Sequence, residues 1–163
     1  ELHKQHITTV VCGGKHMLAL GMDGSVFTWG WNWSGQLGHG DTIDRHHPTL
    51  IKALALFRAL KRTTVISIAA GAQHSLALTC SGEVYSWGGN DEGQLGREED
   101  VLTIPQMILS FHSFGVVQIA CGGTHSLALS TNGDVYSWGR GKCDVCMYVC
   151  VCVCVMCIRG VEV

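Results

Sequence analysis

Histidine and cysteine are the residues whose types and numbers invite chemistry in this chain: nine of each among 163 positions. Histidine serves as general base, proton shuttle or metal ligand, and cysteine as nucleophile, metal ligand or disulfide half. The spacing argues against all of these. His16, His74 and His125 occupy one recurring sequence position. A catalytic constellation needs unlike groups converging on one point, not one group repeated in register. The expectation is a structural imidazole in each repeat, buried and hydrogen-bonded to backbone between strands. Cys143-x-x-Cys146 has the spacing of half a zinc site or a redox pair. The later Cys150, Cys152 and Cys154 alternate with other residues. Alternation puts them on one face of a strand and supplies no second pair for a tetrahedral set. There is no Gly-x-x-x-x-Gly-Lys-Ser/Thr loop, no Gly-x-Ser-x-Gly elbow and no His-Glu-x-x-His. Gly38/Gly40 and Gly139/Gly141 lack the helix that a dinucleotide site requires. The expectation is a chain with no catalytic residue, no cofactor, no metal and no small-molecule substrate.

The elements that position these residues repeat. Val11-Cys12-Gly13-Gly14-Lys15-His16-Met17-Leu18-Ala19-Leu20 is followed by Gly24-Ser25-Val26-Phe27-Thr28-Trp29-Gly30. The same pattern returns at Ala70–Leu78 with Gly82–Gly88, and at Ala120–Leu129 with Gly133–Gly139. The first two copies continue into Gly35-Gln36-Leu37-Gly38 and Gly93-Gln94-Leu95-Gly96. The period is 58 residues from His16 to His74 and 51 from His74 to His125. Most of the difference falls near residues 53–64. Three short β-prone runs stand in each copy: Ile7–Val11, Met17–Leu20 and Ser25–Trp29 in the first. Asp23-Gly24, Ser81-Gly82 and Asn132-Gly133 separate the second run from the third. These dipeptides predict two-residue hairpin turns. Several short strands per unit with Gly-rich turns point to a propeller blade. Trp29, Trp87 and Trp138 recur in register, as blade core would.

The string Cys-Gly-Gly-x-His-Ser-Leu-Ala-Leu…Gly-x-Val-Tyr-Ser-Trp-Gly…Gly-Gln-Leu-Gly resembles the repeat of the regulator of chromosome condensation (RCC1) family. The likeness covers nearly all of residues 5–141. WD40 repeats fit worse, with a period of about 40–45 and a Trp-Asp pair that is absent here. Kelch repeats share a period of about 50 but leave the His-x-Leu-Ala-Leu and Gly-Gln-Leu-Gly blocks unexplained. The resemblance implies an all-β, partial seven-bladed β-propeller of four-stranded antiparallel blades. Its repeats would run over residues 5–58, 65–115 and a truncated 116–141. It also implies an interaction module. The partners it suggests are a small GTPase such as Ran, with nucleotide exchange by surface contact, a ubiquitin-ligase assembly, or chromatin, in the cytoplasm or nucleus. The plant ultraviolet-B receptors of the family are an alternative. Their Gly-Trp-Arg-His-Thr string is missing, because Gly14-Lys15, Ala72-Gln73 and Gly123-Thr124 stand at its Trp-Arg positions.

Charge narrows the partner classes. Eleven Lys+Arg against 13 Asp+Glu exclude a strongly basic nucleic-acid domain. Two loop groups stand out as candidate partner contacts. Trp31 and Trp33 lie in Trp31-Asn32-Trp33-Ser34-Gly35, where the second copy has Gly89-Asn90-Asp91-Glu92-Gly93. Trp33 thus replaces an acidic position, and aromatic loop residues make interaction anchors. Asp91, Glu92, Glu98, Glu99 and Asp100 form an acidic loop group. Asn32-Trp33-Ser34 matches a glycosylation sequon, expected here to be fortuitous. Leu50–Lys61 reads as a short helix with Leu50, Leu54, Phe57 and Lys61 on one face. The segment 142–163 departs from the pattern. Its Val/Cys alternation is what a translated GT dinucleotide tract gives, and it reads as non-native read-through of an intron. Val145–Ile158 carries no charge but is shorter than the roughly 20 residues of a spanning helix, so no membrane partner is expected. The start at Glu1 rather than Met reads as a fragment of a longer chain.

Overall fold

The computed structural model describes residues 5–61, 63–98 and 102–140, without the side chains of 57–61. The Val/Cys-rich segment and the residues Glu99 and Asp100 lie outside the described residues. Four strands form the first sheet: β1 (Ile7–Cys12), β2 (His16–Gly21), β3 (Val26–Gly30) and β4 (Arg45–Leu50). Helix α1 (Lys52–Lys61) leads to the second sheet, β5 (Val65–Ala70), β6 (His74–Thr79), β7 (Val84–Gly88) and the short β8 (Gln106–Met107). A 3-10 turn at Leu109–Phe111 precedes β9 (Val116–Cys121), β10 (His125–Ser130) and β11 (Val135–Gly139). Each sheet is antiparallel with strands in chain order. They are three blades of an unclosed β-propeller.

The hairpins differ from the two-residue turns that Asp-Gly and Asn-Gly predict. The Gly21 N–H bonds the Ser25 carbonyl at 2.8 Å, enclosing three residues, Met22, Asp23 and Gly24. Within that loop the Gly24 N–H bonds the Gly21 carbonyl at 2.9 Å, and Gly24 adopts φ +80°. Thr79–Glu83 and Ser130–Asp134 repeat the pattern. One left-handed residue closing a three-residue loop is the next commonest way to join twisted strands. It needs glycine only at the last position, which is why Asp23, Ser81 and Asn132 are interchangeable before it. The helix also begins later than the periodicity suggests. Leu50 pairs with Phe27 as the last residue of β4, and Leu54 alone among the named helix residues is shown buried. Pro48 fits in β4 because an edge strand tolerates a missing donor.

The core lies between blades, not within them. Leu18, Leu20, Val26, Ile51 and Leu54 of the first blade and its helix pack on Val65, Ile68, Ala77, Tyr85 and Trp87 of the second. Leu76, Leu78, Val84, Ile108 and Phe111 meet Val116, Ile119, Ala128, Tyr136 and Trp138 in the same way. The Leu-x-Leu face of one blade therefore always covers the Ile/Tyr/Trp face of the next. Where that cover is absent the same position opens. Val10 is 56% exposed, whereas its equivalent Ile68 is 5% exposed. Val135 is exposed, whereas Val26 and Val84 are buried.

Candidate functional site

Two backbone bonds stitch successive blades at the turns that precede the histidines. The Gly14 N–H donates to the Gly71 carbonyl at 3.1 Å, and the Ala72 N–H to the Gly123 carbonyl at 2.9 Å. Directly beside this stitch, His16 Nε2 lies 2.9 Å from Ser75 Oγ, and His74 Nε2 lies 2.9 Å from Ser126 Oγ. Ser75 Oγ donates to the Gln36 carbonyl at 2.9 Å, which also accepts Trp87 Nε1–H at 2.8 Å. Ser126 and Trp138 treat the Gln94 carbonyl in the same way, both at 2.8 Å. A serine hydroxyl has one proton. Having given it to the Gln carbonyl, Ser75 receives a proton from His16, which fixes the Nε2–H tautomer. The order His → Ser → Gln carbonyl ← Trp closes with all partners buried. Nδ1 of His16 and of His74 is buried with no hydrogen-bond partner, and keeps a lone pair.

The Gly-Gln-Leu-Gly block supplies the other half of this latch. The Gln36 side chain caps its own loop by accepting the Ser34 N–H, as Gln94 accepts that of Glu92. Leu37 and Leu95 are fully buried, and their carbonyls take hydroxyl protons from Thr28 and Ser86. Gly38 adopts φ +78° with Trp87 so close that a Cβ would lie 2.9 Å from Nε1. His16 and His74 thus hold blades together, and the partner of each is a serine of the following blade, not backbone as the sequence pattern suggests. His125 faces the open side of the third blade and is exposed. In the first blade Met17 stands at the position of Ser75 and Ser126, and Trp29 is half-buried where Trp87 and Trp138 are buried.

Burial pushes the imidazoles of His16 and His74 down to about 4, well below the usual 6.5. Both rings are neutral in the fold at neutral pH. Between pH 6.5 and 4 the unfolded chain takes up protons that the folded chain refuses, so stability is lost as pH falls through that window. Each ring contributes up to about 3 kcal/mol of this loss. The expected result is a thermal midpoint that drops steeply from pH 7 to pH 5. The Ser75→Ala and Ser126→Ala variants, by contrast, are expected to be destabilised already at pH 7. An unchanged midpoint across pH 5 to 7 would contradict the neutral, buried assignment.

Above the latch, the loops between third and fourth strands form a rim. Asn32 is buried and organises the first loop. Its backbone N–H donates to Asp44, its side-chain amide donates to the Asp41 carbonyl at 2.9 Å, and its Oδ1 accepts the Leu37 N–H. The sequon asparagine is therefore fully engaged, which agrees with its fortuitous reading. On this tied loop Trp31 and Trp33 are 44% and 63% exposed, edge to face with ring centroids 5.8 Å apart. Lys15 Nζ sits 3.8 Å from the Trp31 centroid. Asn90 builds the same loop in the second blade, through Leu95 N–H to Asn90 Oδ1 at 2.9 Å. There Gly89, Asp91 and Glu92 replace Trp31, Trp33 and Ser34. Asp91, Glu92 and Glu98 are exposed, and Glu92 pairs with Arg140 of the third blade at 3.4 Å. The connection that follows lies on the first loop, with the Gly40 N–H donating to the Thr103 carbonyl. The two candidate groups thus sit on neighbouring loops of one rim.

Other sites offer less. A cavity of about 200 Å³ lies by His39, Arg45, Thr49, Lys52 and Ile104. Arg45 there is held by Asp41 at 2.7 Å and His39 is bonded to Thr28. Cys12, Cys80 and Cys121 are free thiols, and burial pushes that of Cys121 up to about 12. Among the described residues no group of three or more His, Cys, Asp or Glu side chains is placed to hold a metal ion. No helix of the described residues is long and apolar enough to cross a membrane.

Two sequence profiles described as the regulator of chromosome condensation (RCC1) repeat match the chain. One covers residues 23–78 and 81–129, the other residues 7–36, 65–94 and 116–144. The human E3 ubiquitin-protein ligase HERC2 is 41% identical over 143 residues, which are 86% of this chain and 3% of the ligase. The ultraviolet-B receptor UVR8 of Arabidopsis thaliana is 34% identical over 138 residues, 84% of this chain and 30% of the receptor. Prp20p from Saccharomyces cerevisiae superposes with a TM-score of 0.74 at 32% identity, over 87% of this chain and 34% of that one. Its crystal structure was described with its binding properties to Gsp1p and histones. The chain spans about a third or less of the length of these relatives.

Proposed function

Since the chain belongs to the RCC1 repeat family, we propose that its blades form a docking rim for a protein partner within a ubiquitin-ligase assembly. The observation that carries this reading is the contrast between two loops of one backbone design. Asn32 and Asn90 hold them alike, yet one presents an exposed Trp pair and the other carboxylates. Variable side chains on a rigid frame are how scaffolds present binding residues. Exposed tryptophans in a tied loop lose little entropy on binding. The ligase setting is favoured by the identity to human HERC2 and by 39% identity to human HERC3, against 34% to the receptor. Residence in the cytoplasm or nucleus goes with that setting. Photoreception is disfavoured, since Gly14-Lys15, Ala72-Gln73 and Gly123-Thr124 stand where the receptor string has Trp-Arg. Exchange on a Ran-like GTPase is the second reading, supported by the likeness to Prp20p.

Affinity capture separates these readings. The wild-type chain is expected to enrich ubiquitin-conjugation components, and the Trp31→Ala/Trp33→Ala variant to lose them. Enrichment of nucleotide-free Ran over its GTP-bound form would instead select the exchange reading. Equal capture by both chains would remove the rim from the interaction.

A further inference from the structure

We propose that Lys15, Trp31 and Trp33 form a corner that takes an acidic side chain and an adjacent apolar side chain from an extended segment of the partner protein. This rests on the docking-rim reading and specifies its partner's chemistry. The two indole planes meet at 77°, so they form two walls of a corner rather than a flat stack. Trp33 is 63% exposed, leaving apolar ring surface for an aliphatic or ring side chain to cover. The charge at this corner is positive and unanswered. Lys15 Nζ touches the Trp31 ring, and no carboxylate among the described residues pairs with it. The two carboxylates tied into this loop make their hydrogen bonds to other residues. Asp44 accepts the Asn32 N–H, and Asp41 accepts the Arg45 guanidinium at two positions.

An ammonium held on an indole face is partly desolvated on one side. A carboxylate arriving from the solvent side completes its coordination, while the apolar neighbour buries Trp33. The geometry is firm because Trp31 N–H donates to the Lys15 carbonyl at 2.9 Å, so cation and aromatic loop are one unit. The second blade cannot do the same. It has Gln73 where Lys15 stands, and Gly89 and Asp91 where the two tryptophans stand. Of these two blades, only the first is written for an acidic segment. The exposed carboxylates Asp91 and Glu98 in the neighbouring loop would repel an acidic segment that slid across, which fixes where it sits.

Two fluorescein-labelled short peptides in a Gly/Ser background test this, one carrying Glu-Leu pairs and one Lys-Leu pairs. Fluorescence anisotropy on the full chain is expected to show the Glu-Leu peptide binding about tenfold tighter than the Lys-Leu peptide. Lys15→Glu and Trp33→Ala should each weaken it by about fivefold or more, whereas Asp134→Asn, exposed on the hairpin of the third blade, leaves it within about twofold. Thermal midpoints of these exposed-site variants show whether they remain folded. Tighter binding of the Lys-Leu peptide, binding of neither, or indifference to Lys15→Glu overturns the proposal. If the capture experiment depends on the tryptophans but not on Lys15, the docking rim stands and the acidic-segment assignment falls. If the peptide results hold and capture is unaffected, the corner stands and the assembly reading falls.

Discussion

Replacing Trp87 with alanine is expected to cost about 3–5 kcal/mol, enough to open the first blade junction. Trp87 is fully buried in one cluster with Ile51, Leu54 of α1 and Val65 of β5. It also donates to the Gln36 carbonyl, which Ser75 shares. Alanine removes the donor and leaves a ring-sized void beside Gly38, whose backbone was shaped to the indole. The void cannot collapse easily, because the stitch and the histidine latch hold the two blades at fixed spacing. Urea unfolding followed by circular dichroism measures the loss. Trp33→Ala is the matched control, since that ring is exposed and its removal should change stability by less than about 0.5 kcal/mol. Similar midpoints for the two variants would show that the junction does not depend on the indole.

A single methyl group at Gly71 should be nearly as damaging. A Cβ there would lie 2.1 Å from His74 Cε1 and 2.7 Å from the Gly122 carbonyl oxygen. Neither neighbour can yield. The imidazole is pinned by Ser126, and the carbonyl belongs to the backbone of the next blade. Gly71→Ala is expected to destabilise by about 3 kcal/mol or more, at the upper end of overpacking effects. Gly123→Ala is the comparison, because nothing lies within 4 Å of a Cβ there. It should be close to neutral, and the difference between two glycines of the same sequence block is read as a shift in thermal midpoint. If both substitutions were tolerated, the stitch would not need its close approach.

The blades were legible because their signals are local. His-x-Leu-Ala-Leu, the glycine after each Asp, Ser or Asn, and Val-Tyr-Ser-Trp-Gly all act within one repeat. The latch was hidden because its partners are offset by one repeat. In the sequence His16 is followed by Met17, and nothing links it to Ser75, 59 positions on. Repetition shows what recurs in each blade but not which copy meets which. The turn type was misread for a similar reason. Asp23-Gly24 constrains one φ, while the length of the loop is set by the pairing of Leu20 with Val26. Of the candidate rim residues, Trp31 and Trp33 are exposed on a fixed loop. Glu92 was not as free as its charge suggested, since Arg140 reaches it from the third blade. That pair joins corresponding loops of successive blades.

The latch also gives the second blade two unlike faces. One offers the imidazole N–H and the Gln carbonyl, the other the serine hydroxyl and the indole N–H. The junction between blades is therefore heterologous, each face meeting the other kind. Repetition of such a contact closes into a ring when the rotation per blade divides the circle, which is how a propeller uses it. The first blade departs from the pattern at one residue. Met17, a thioether without a hydroxyl proton, stands where the latch uses the hydroxyl of Ser75 and Ser126.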